Sequence, residues 1–200
     1  MPRRPRSVID QPARIELLAS PTRLELVDTL DALGREATVL ELSAQLGRPV
    51  AGLYYHLRLL ARGGVIEELA GAGSGRRYRV PPAMRLRYHP GKTSNARAVG
   101  KAIASMLRVS GRDFAAALRD PRTVAAGPQR ALWAARVKGW VSAADLSEIN
   151  RLIARLGVLV RPERKPGADR LVALSWVLTP VPVKIRRGPR SGGTRRRPPR

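Results

Sequence analysis

The stretch TVLELSAQLGRPVAGLYYHLRLLARGG, residues 38–64, decides how the N-terminal part of the chain folds. Its first half predicts a short helix, because Thr38 and Glu41 form the Thr-x-x-Glu pattern of a capping box. Gly47 should end this helix, since glycine accepts the left-handed conformation found at helix C-termini. Only two residues then separate it from the next apolar pattern, so a tight turn is expected.

A second helix is predicted over residues 50–62, opened by Pro49 and ended by Gly63. Leucines at helical spacing should face the core: Leu53, Leu57 and Leu60. The opposite face carries small, aromatic and cationic residues that can approach base edges and phosphates: Val50, Ala51, Tyr54, Tyr55, Arg58 and Arg62. A short helix, a tight turn and a second helix of this kind are typical of a helix-turn-helix, whose second helix enters the major groove of DNA.

Two further helices are expected before this motif. Asp10 is a candidate cap for a first helix with Ile15, Leu17 and Leu18 on its apolar side. Ser20 and Pro21 predict the start of a second helix, which Gly34 ends. Its apolar positions recur at helical spacing: Leu24, Val27, Leu30 and Leu33.

After the motif, VIEELA and RRYRV flank the glycine-rich stretch GAGSG at residues 71–75. Two strand-forming runs joined by such a turn predict a β-hairpin, or wing. A phosphate-binding glycine loop would require a helix after it, and here a strand follows. The cationic residues Arg76, Arg77 and Arg79 are instead predicted to neutralise DNA phosphates.

Together, SPTRLELV, YHLRLL followed by GGVIE, and RRYRV closely resemble the winged-helix domain of ArsR-type bacterial transcription regulators, over about residues 13–81. The resemblance implies a homodimeric repressor or activator that recognises an inverted repeat in double-stranded DNA. Founding members of that family sense metals through cysteines on the helix that corresponds to residues 40–46. This chain has no cysteine, so a thiolate sensor is excluded.

Some of the named residues allow more than one interpretation. His56 could be a ligand, a base contact or a residue packed at the junction of helix and wing, and the last is favoured because no second ligand is near in sequence. Tyr54 and Tyr55 are consecutive, so at least one must be exposed. Arg58 and Arg62 could belong to an ordinary solvated face. Thr38 is first a helix cap, and the helix end it caps is also a candidate phosphate site.

Residues 82–127 are interpreted as a linker and dimerisation helices. A helix from near Ser94 carries an apolar side that needs a partner, either a second copy of the chain or the C-terminal region, and the second copy is favoured. The predicted dimerisation residues are Val99, Ile103, Met106 and Leu107.

Residues 128–183 predict a small α/β domain of possible effector-binding or dimerising role: a strand in RALWAARVKGW, a helix capped by Ser142, and a strand in DRLVALSWVLTPV. Its tryptophans are interpreted as core or interface anchors, with an apolar effector pocket between them as the alternative: Trp133, Trp140 and Trp176. Asp145 and Glu148 lack the histidine or further carboxylates of a catalytic constellation, so no enzymatic activity is expected.

The formal net charge of +23 favours a polyanionic partner. Residues 1–10 form a basic N-terminal arm and residues 184–200 a basic tail that is expected to be disordered alone. No apolar run is long enough to span a membrane and no signal-peptide pattern is present, so a soluble, cytoplasmic, nucleoid-associated protein is expected. Two isolated histidines and no cysteine predict no metal and no cofactor.

The predicted fold is therefore mainly α with a β-wing, as a winged helix-turn-helix DNA-binding domain over residues 11–81, plus a smaller α/β C-terminal domain. The leading functional prediction is a sequence-specific, dimeric regulator that reads DNA through residues 50–62 and the wing at residues 65–81. The alternative is a general nucleic-acid-binding or chromatin-associated protein in which the basic tails dominate and sequence preference is weak.

Overall fold

A computed structural model describes residues 8–69, 76–82, 84–160 and 167–182. Four helices form the N-terminal half: α1 (Pro12–Leu17), α2 (Pro21–Ala32), α3 (Val39–Leu46) and α4 (Val50–Arg62). The strands are β1 (Val8–Ile9), β2 (Glu36–Thr38), β3 (Glu67–Leu69), β4 (Arg77–Arg79) and β5 (Arg85–Leu86). Two longer helices follow, α5 (Thr93–Arg119) and α6 (Ala143–Leu159). The basic arm up to residue 7, the wing turn at 70–75 and the basic tail lie outside the described residues.

Local sequence signals set the ends of the central helices as predicted. Pro21 occupies the first turn of α2, and Thr38 and Glu41 form the capping box of α3. Gly47 ends α3 with a φ of 61°, a left-handed conformation that favours glycine. The prediction for Asp10 was wrong: α1 begins after Gln11, and the Asp10 carbonyl accepts a hydrogen bond from Asn95 instead.

One hydrophobic core joins α1–α4, the wing and the first half of α5. The three predicted leucines of α4 are fully buried in it, which confirms their assignment to the inner face. Tyr78 of β4 is also fully buried, so the wing contributes to the core rather than projecting freely from it. Ala98 and Ala102 of α5 complete the same cluster.

The wing is a three-stranded antiparallel sheet in the order β2-β4-β3. Tyr78 lies opposite Ala37 of β2 on one side and Glu68 of β3 on the other. Strand β2, immediately before α3, was not predicted, because three residues carry too little pattern to signal a strand. A second sheet pairs the two-residue strands β1 and β5 in parallel.

The buried side of α5 differs from the predicted one. Polar and small residues face α1 and α2: Asn95, Ala98, Ala102, Ser105 and Val109. Of the predicted dimerisation residues, Val99 packs against the chain's own core, whereas Ile103 and Met106 are half-buried and Leu107 is 53% exposed. Small residues on the inner side let α5 approach its neighbours closely, a signal that a search for large apolar residues overlooks.

The C-terminal region contains the predicted helix, which Ser142 caps by accepting a hydrogen bond from the Asp145 amide. Both predicted strands are absent: the described residues 130–142 and 167–182 form neither helix nor strand. A strand requires a hydrogen-bonding partner, and apolar patterning alone does not supply one. The three tryptophans are exposed rather than core residues of this chain. The α/β domain is therefore not confirmed.

Among the described residues, no helix combines the length and the hydropathy that a membrane span requires.

Candidate nucleic-acid interface

Helix α4 presents most of its predicted DNA-facing residues to solvent. Ala51, Tyr54, Tyr55, Arg58 and Arg62 are exposed on the side opposite the buried leucines. The prediction for Val50 needs correction, because this residue is half-buried and packs against the core. Its position at the start of the helix, beside the turn, brings its short side chain inward.

The two tyrosines are both accessible. Tyr54 is 38% exposed and Tyr55 is 59% exposed, so both can offer a ring and a hydroxyl to a ligand. Tyr55 also contacts His56 edge-on, with ring centroids 5.3 Å apart. This contact supports the Tyr55 ring against the helix while leaving more than half of the residue in solvent.

Arg58 and Arg62 supply the cationic charge of α4. Within the described ranges, neither side chain forms a hydrogen bond or an ion pair. An unpaired, exposed guanidinium can contact a phosphate or a guanine edge without first breaking an internal interaction. These two arginines are therefore the most available cations of the helix.

The wing arginines are in a different electrostatic state, because each pairs with a glutamate of the same sheet. Arg77 donates to Glu36 at 2.8 Å, Arg79 to Glu67 at 2.9 Å, and Arg76 lies 3.3 Å from Glu68. All three pairs are solvent-accessible, so a phosphate can compete for the arginines. The neighbouring carboxylates nevertheless reduce the positive potential that the sequence alone predicted for the wing.

At the start of α3, Thr38 acts as the predicted cap. Its hydroxyl accepts the Glu41 amide at 3.2 Å, while the Glu41 carboxylate accepts the Thr38 amide at 2.7 Å. These hydrogen bonds lower the pKa of Glu41, first through the Thr38 backbone and then through its side chain. The resulting carboxylate occupies the helix N-terminus, where a phosphate would otherwise bind. Thr38 is thus placed as a structural cap.

Sequence reasoning missed the ion pairs that hold the turn between α3 and α4. Glu25 of α2, with a side chain only 11% exposed, accepts Arg48 of the turn at 2.7 Å and also accepts Arg112 of α5. One carboxylate thereby joins the turn before α4 to the long helix. No sequence signal marks this pair, since Glu25 and Arg112 are 87 positions apart.

The other end of α4 is held by Arg14 of α1. Its guanidinium donates to the carbonyl oxygens of Gly63 at 3.1 Å and Gly64 at 2.5 Å. These carbonyls follow the last turn of α4, where backbone oxygens lack helical partners and a cation is favourable. Arg14 therefore fixes the C-terminal end of α4, as Arg48 fixes the turn at its start.

His56 lies half-buried on α4. Its buried Nδ1 forms no hydrogen bond within the described residues. Burial lowers its pKa, and the nearby charges of Arg23 and Arg48 lower it further. These arginines belong to α2 and the turn, so the charged surroundings of His56 are on that side rather than in the wing. The described chain also contains no cluster of three or more potential metal ligands.

A family model described as a helix-turn-helix domain matches residues 18–68, from the end of α1 to the start of β3. These residues form a helix-turn-helix domain. No match was found among curated proteins. The match covers about a quarter of the chain and includes α2, the turn and α4.

The small antiparallel sheet next to the helix-turn-helix domain fits a winged helix. Domains of this family bind DNA in transcription regulation. The exposed face of α4 and the wing arginines consequently lie on the two elements that such a domain brings to DNA.

Proposed function

We propose that this protein is a homodimeric, sequence-specific transcription regulator of the ArsR type. In each copy, α4 enters the major groove of an inverted-repeat operator, and the wing contacts the adjacent phosphates. The observation that carries the proposal is the composition of the exposed face of α4, where two tyrosines accompany two arginines that have no partner among the described residues.

The contacts divide into two roles. Arg58, Tyr54 and Tyr55 lie on the helix that reads base edges, where each good contact contributes about 1–3 kcal/mol of discrimination. The wing arginines leave their glutamate partners and bind phosphates instead. These contacts give affinity that does not depend on the DNA sequence. The basic ends of the sequence add affinity that decreases with salt.

A homodimer explains how so small a reading surface could select an operator. One α4 contacts a few base pairs, whereas two copies related by a two-fold axis read two half-sites about 10–10.5 base pairs apart. The proposed dimer contacts on α5 are its exposed and half-buried apolar residues, including Leu107 and Met106. The proposed location is the cytoplasm, in association with the nucleoid.

Selection of binding sites from random double-stranded DNA with the full chain, followed by footprinting, tests this function. The expected result is an inverted repeat protected over both half-sites. A general nucleic-acid binder would instead give no recurrent sequence and would lose binding when residues 184–200 are deleted. Repeating the footprint with small-molecule extracts tests whether an effector changes operator affinity.

A further inference from the structure

The strongest unassigned feature is the C-terminal segment, defined as residues 130–160 and 167–182. It contains 17 of the 26 exposed large hydrophobic side chains of the described chain. Trp140 is 89% exposed and Val137 is 87% exposed. In α6 every residue is exposed or half-buried, although its apolar residues recur at helical spacing. Such a surface requires a covering partner.

Two stretches of the segment, residues 132–141 and 169–182, also lack backbone partners among the described residues. No backbone–backbone hydrogen bond involves residues 132–141 or 169–182 within the part of the chain that the structure describes. Both stretches are rich in apolar residues, and the second is apolar on both alternations of a strand. Peptide groups flanked by such side chains need hydrogen bonds once water is excluded.

We propose that the C-terminal segment is an interface for a second copy of this chain. In the dimer, the stretches at 132–141 and 169–182 pair as strands across the two copies, and the apolar face of α6 packs against them. This inference specifies the homodimer of the proposed function, but it does not depend on how DNA is recognised.

The size of the apolar surface fits a protein partner. A large side chain offers on the order of 100 Å² of apolar surface, so 17 of them at about half exposure offer on the order of 800 Å². A stable interface buries about 800 Å² on each partner, whereas the largest apolar patch of a monomer is about 300–600 Å². The segment therefore has enough surface for a stable dimer.

The pattern and position of the segment favour a second copy as that partner. When a strand pairs with the same strand of a second copy about a two-fold axis, the same residues on both copies supply the backbone hydrogen bonds and the apolar side-chain contacts. A hydrogen bond of 2.7 Å between the hydroxyls of Ser110 and Ser175 places the segment beside α5. The exposed Leu107 lies one turn before Ser110 on α5, so the segment continues the proposed dimer surface of that helix.

Hydrogen–deuterium exchange and sedimentation velocity of the full chain without DNA test the inference. We expect a dimer in which the amides of 132–141 and 169–182 exchange at least about tenfold more slowly than unpaired amides. Trp140→Asp should weaken dimerisation by about 30-fold or more and abolish that protection. Tyr88→Asp, which changes an exposed aromatic residue outside the segment, is the matched control and should leave both unchanged.

Three results would overturn the inference: a wild-type monomer at micromolar concentration, a dimer whose segment amides exchange freely, or protection that persists in a monomer. Circular dichroism tests whether the Trp140→Asp variant keeps the fold. If this variant does not fold, Val177→Lys is the second variant. A dimer with a protected segment that selects no operator would contradict the proposed function while leaving this interface intact.

Discussion

Arg77 of the wing donates to Glu36 of β2 at 2.8 Å, so the cation predicted to meet DNA is already held by a carboxylate. Glu36→Gln should release Arg77 and raise affinity for random DNA several-fold. Because Arg77 makes the same phosphate contact in both proteins, the slope of log affinity against log salt should change by less than the about 0.9 that one further phosphate contact would add.

Glu16→Gln is the matched control, because it makes the same charge change at an ion pair with Lys101 away from the wing. Titrations of both variants at several salt concentrations distinguish a local effect from a change in net charge. Equal increases in affinity would show that the Glu36–Arg77 pair has no specific role.

A second set of variants should distinguish the residues that read bases from those that bind phosphates. Tyr55→Ala and Arg58→Ala should each reduce discrimination between operator and random DNA by about 1–3 kcal/mol. Arg77→Ala should weaken binding to both DNAs about equally, since phosphate contacts carry no sequence information. Competition binding with the selected operator measures the difference, and an identical loss for all three variants would contradict the assigned roles.

Removing the charge of Glu25 should destabilise the helix-turn-helix domain. Glu25→Gln weakens the interactions of this nearly buried carboxylate with both Arg48 and Arg112, at an expected loss of about 1–3 kcal/mol. Glu148→Gln breaks an exposed pair with Arg151 on α6 and should cost about 0.5 kcal/mol or less. Urea unfolding compares the two, and the prediction fails if their losses are alike.

The stability of the fold should depend on the protonation of His56. Its pKa in the folded state is lowered by burial and by Arg23 and Arg48, below the ordinary value of 6.5. The folded state therefore favours neutral imidazole, and this contribution is complete above pH 6.5 but is lost as the pH falls through the folded-state pKa.

Free energies of unfolding at pH 7.5 and pH 5 for the wild type and His56→Gln test this linkage. The wild type should lose more stability on acidification than the variant. A pH dependence that is the same in both proteins would mean that other groups account for it.

Asn95 should matter for stability although it lies outside the predicted DNA-binding domain. Its side chain is buried, accepts the His89 amide at 2.9 Å and donates to the carbonyls of Asp10 and Arg87. Asn95→Ala leaves these groups without partners and should cost about 2 kcal/mol or more. Ser94→Ala, at the exposed neighbouring position, is the control in the same unfolding experiment.

Features that depend on residues close together in the sequence could be predicted, whereas features that depend on residues far apart in the sequence could not. Local signals such as the Thr38–Glu41 box, Gly47 and the leucine spacing of α4 define the helices and the turn, and all are present in the structure. The wing strands were also predicted, because glycines between apolar runs favour a hairpin.

Contacts between distant residues left no such signal. The wing arginines were predicted to contact phosphates only, yet each forms an ion pair with a glutamate that the strand register brings close. Nothing in the sequence distinguishes Arg14 from other helix residues, yet its side chain binds carbonyls 49 and 50 positions away. The C-terminal strands were predicted from apolar pattern, whereas a strand exists only with a partner, which a single chain does not supply.

The burial of Ala98 and Ala102 in the same core as α4 has a practical consequence for dissecting the protein. A fragment that stops at residue 81 would contain the proposed DNA contacts of α4 and the wing, yet it would lose the helix that closes the core over α1 and α2. Its apolar interior would then face water. A minimal fragment for binding studies should therefore end beyond Val109, the last buried residue of α5.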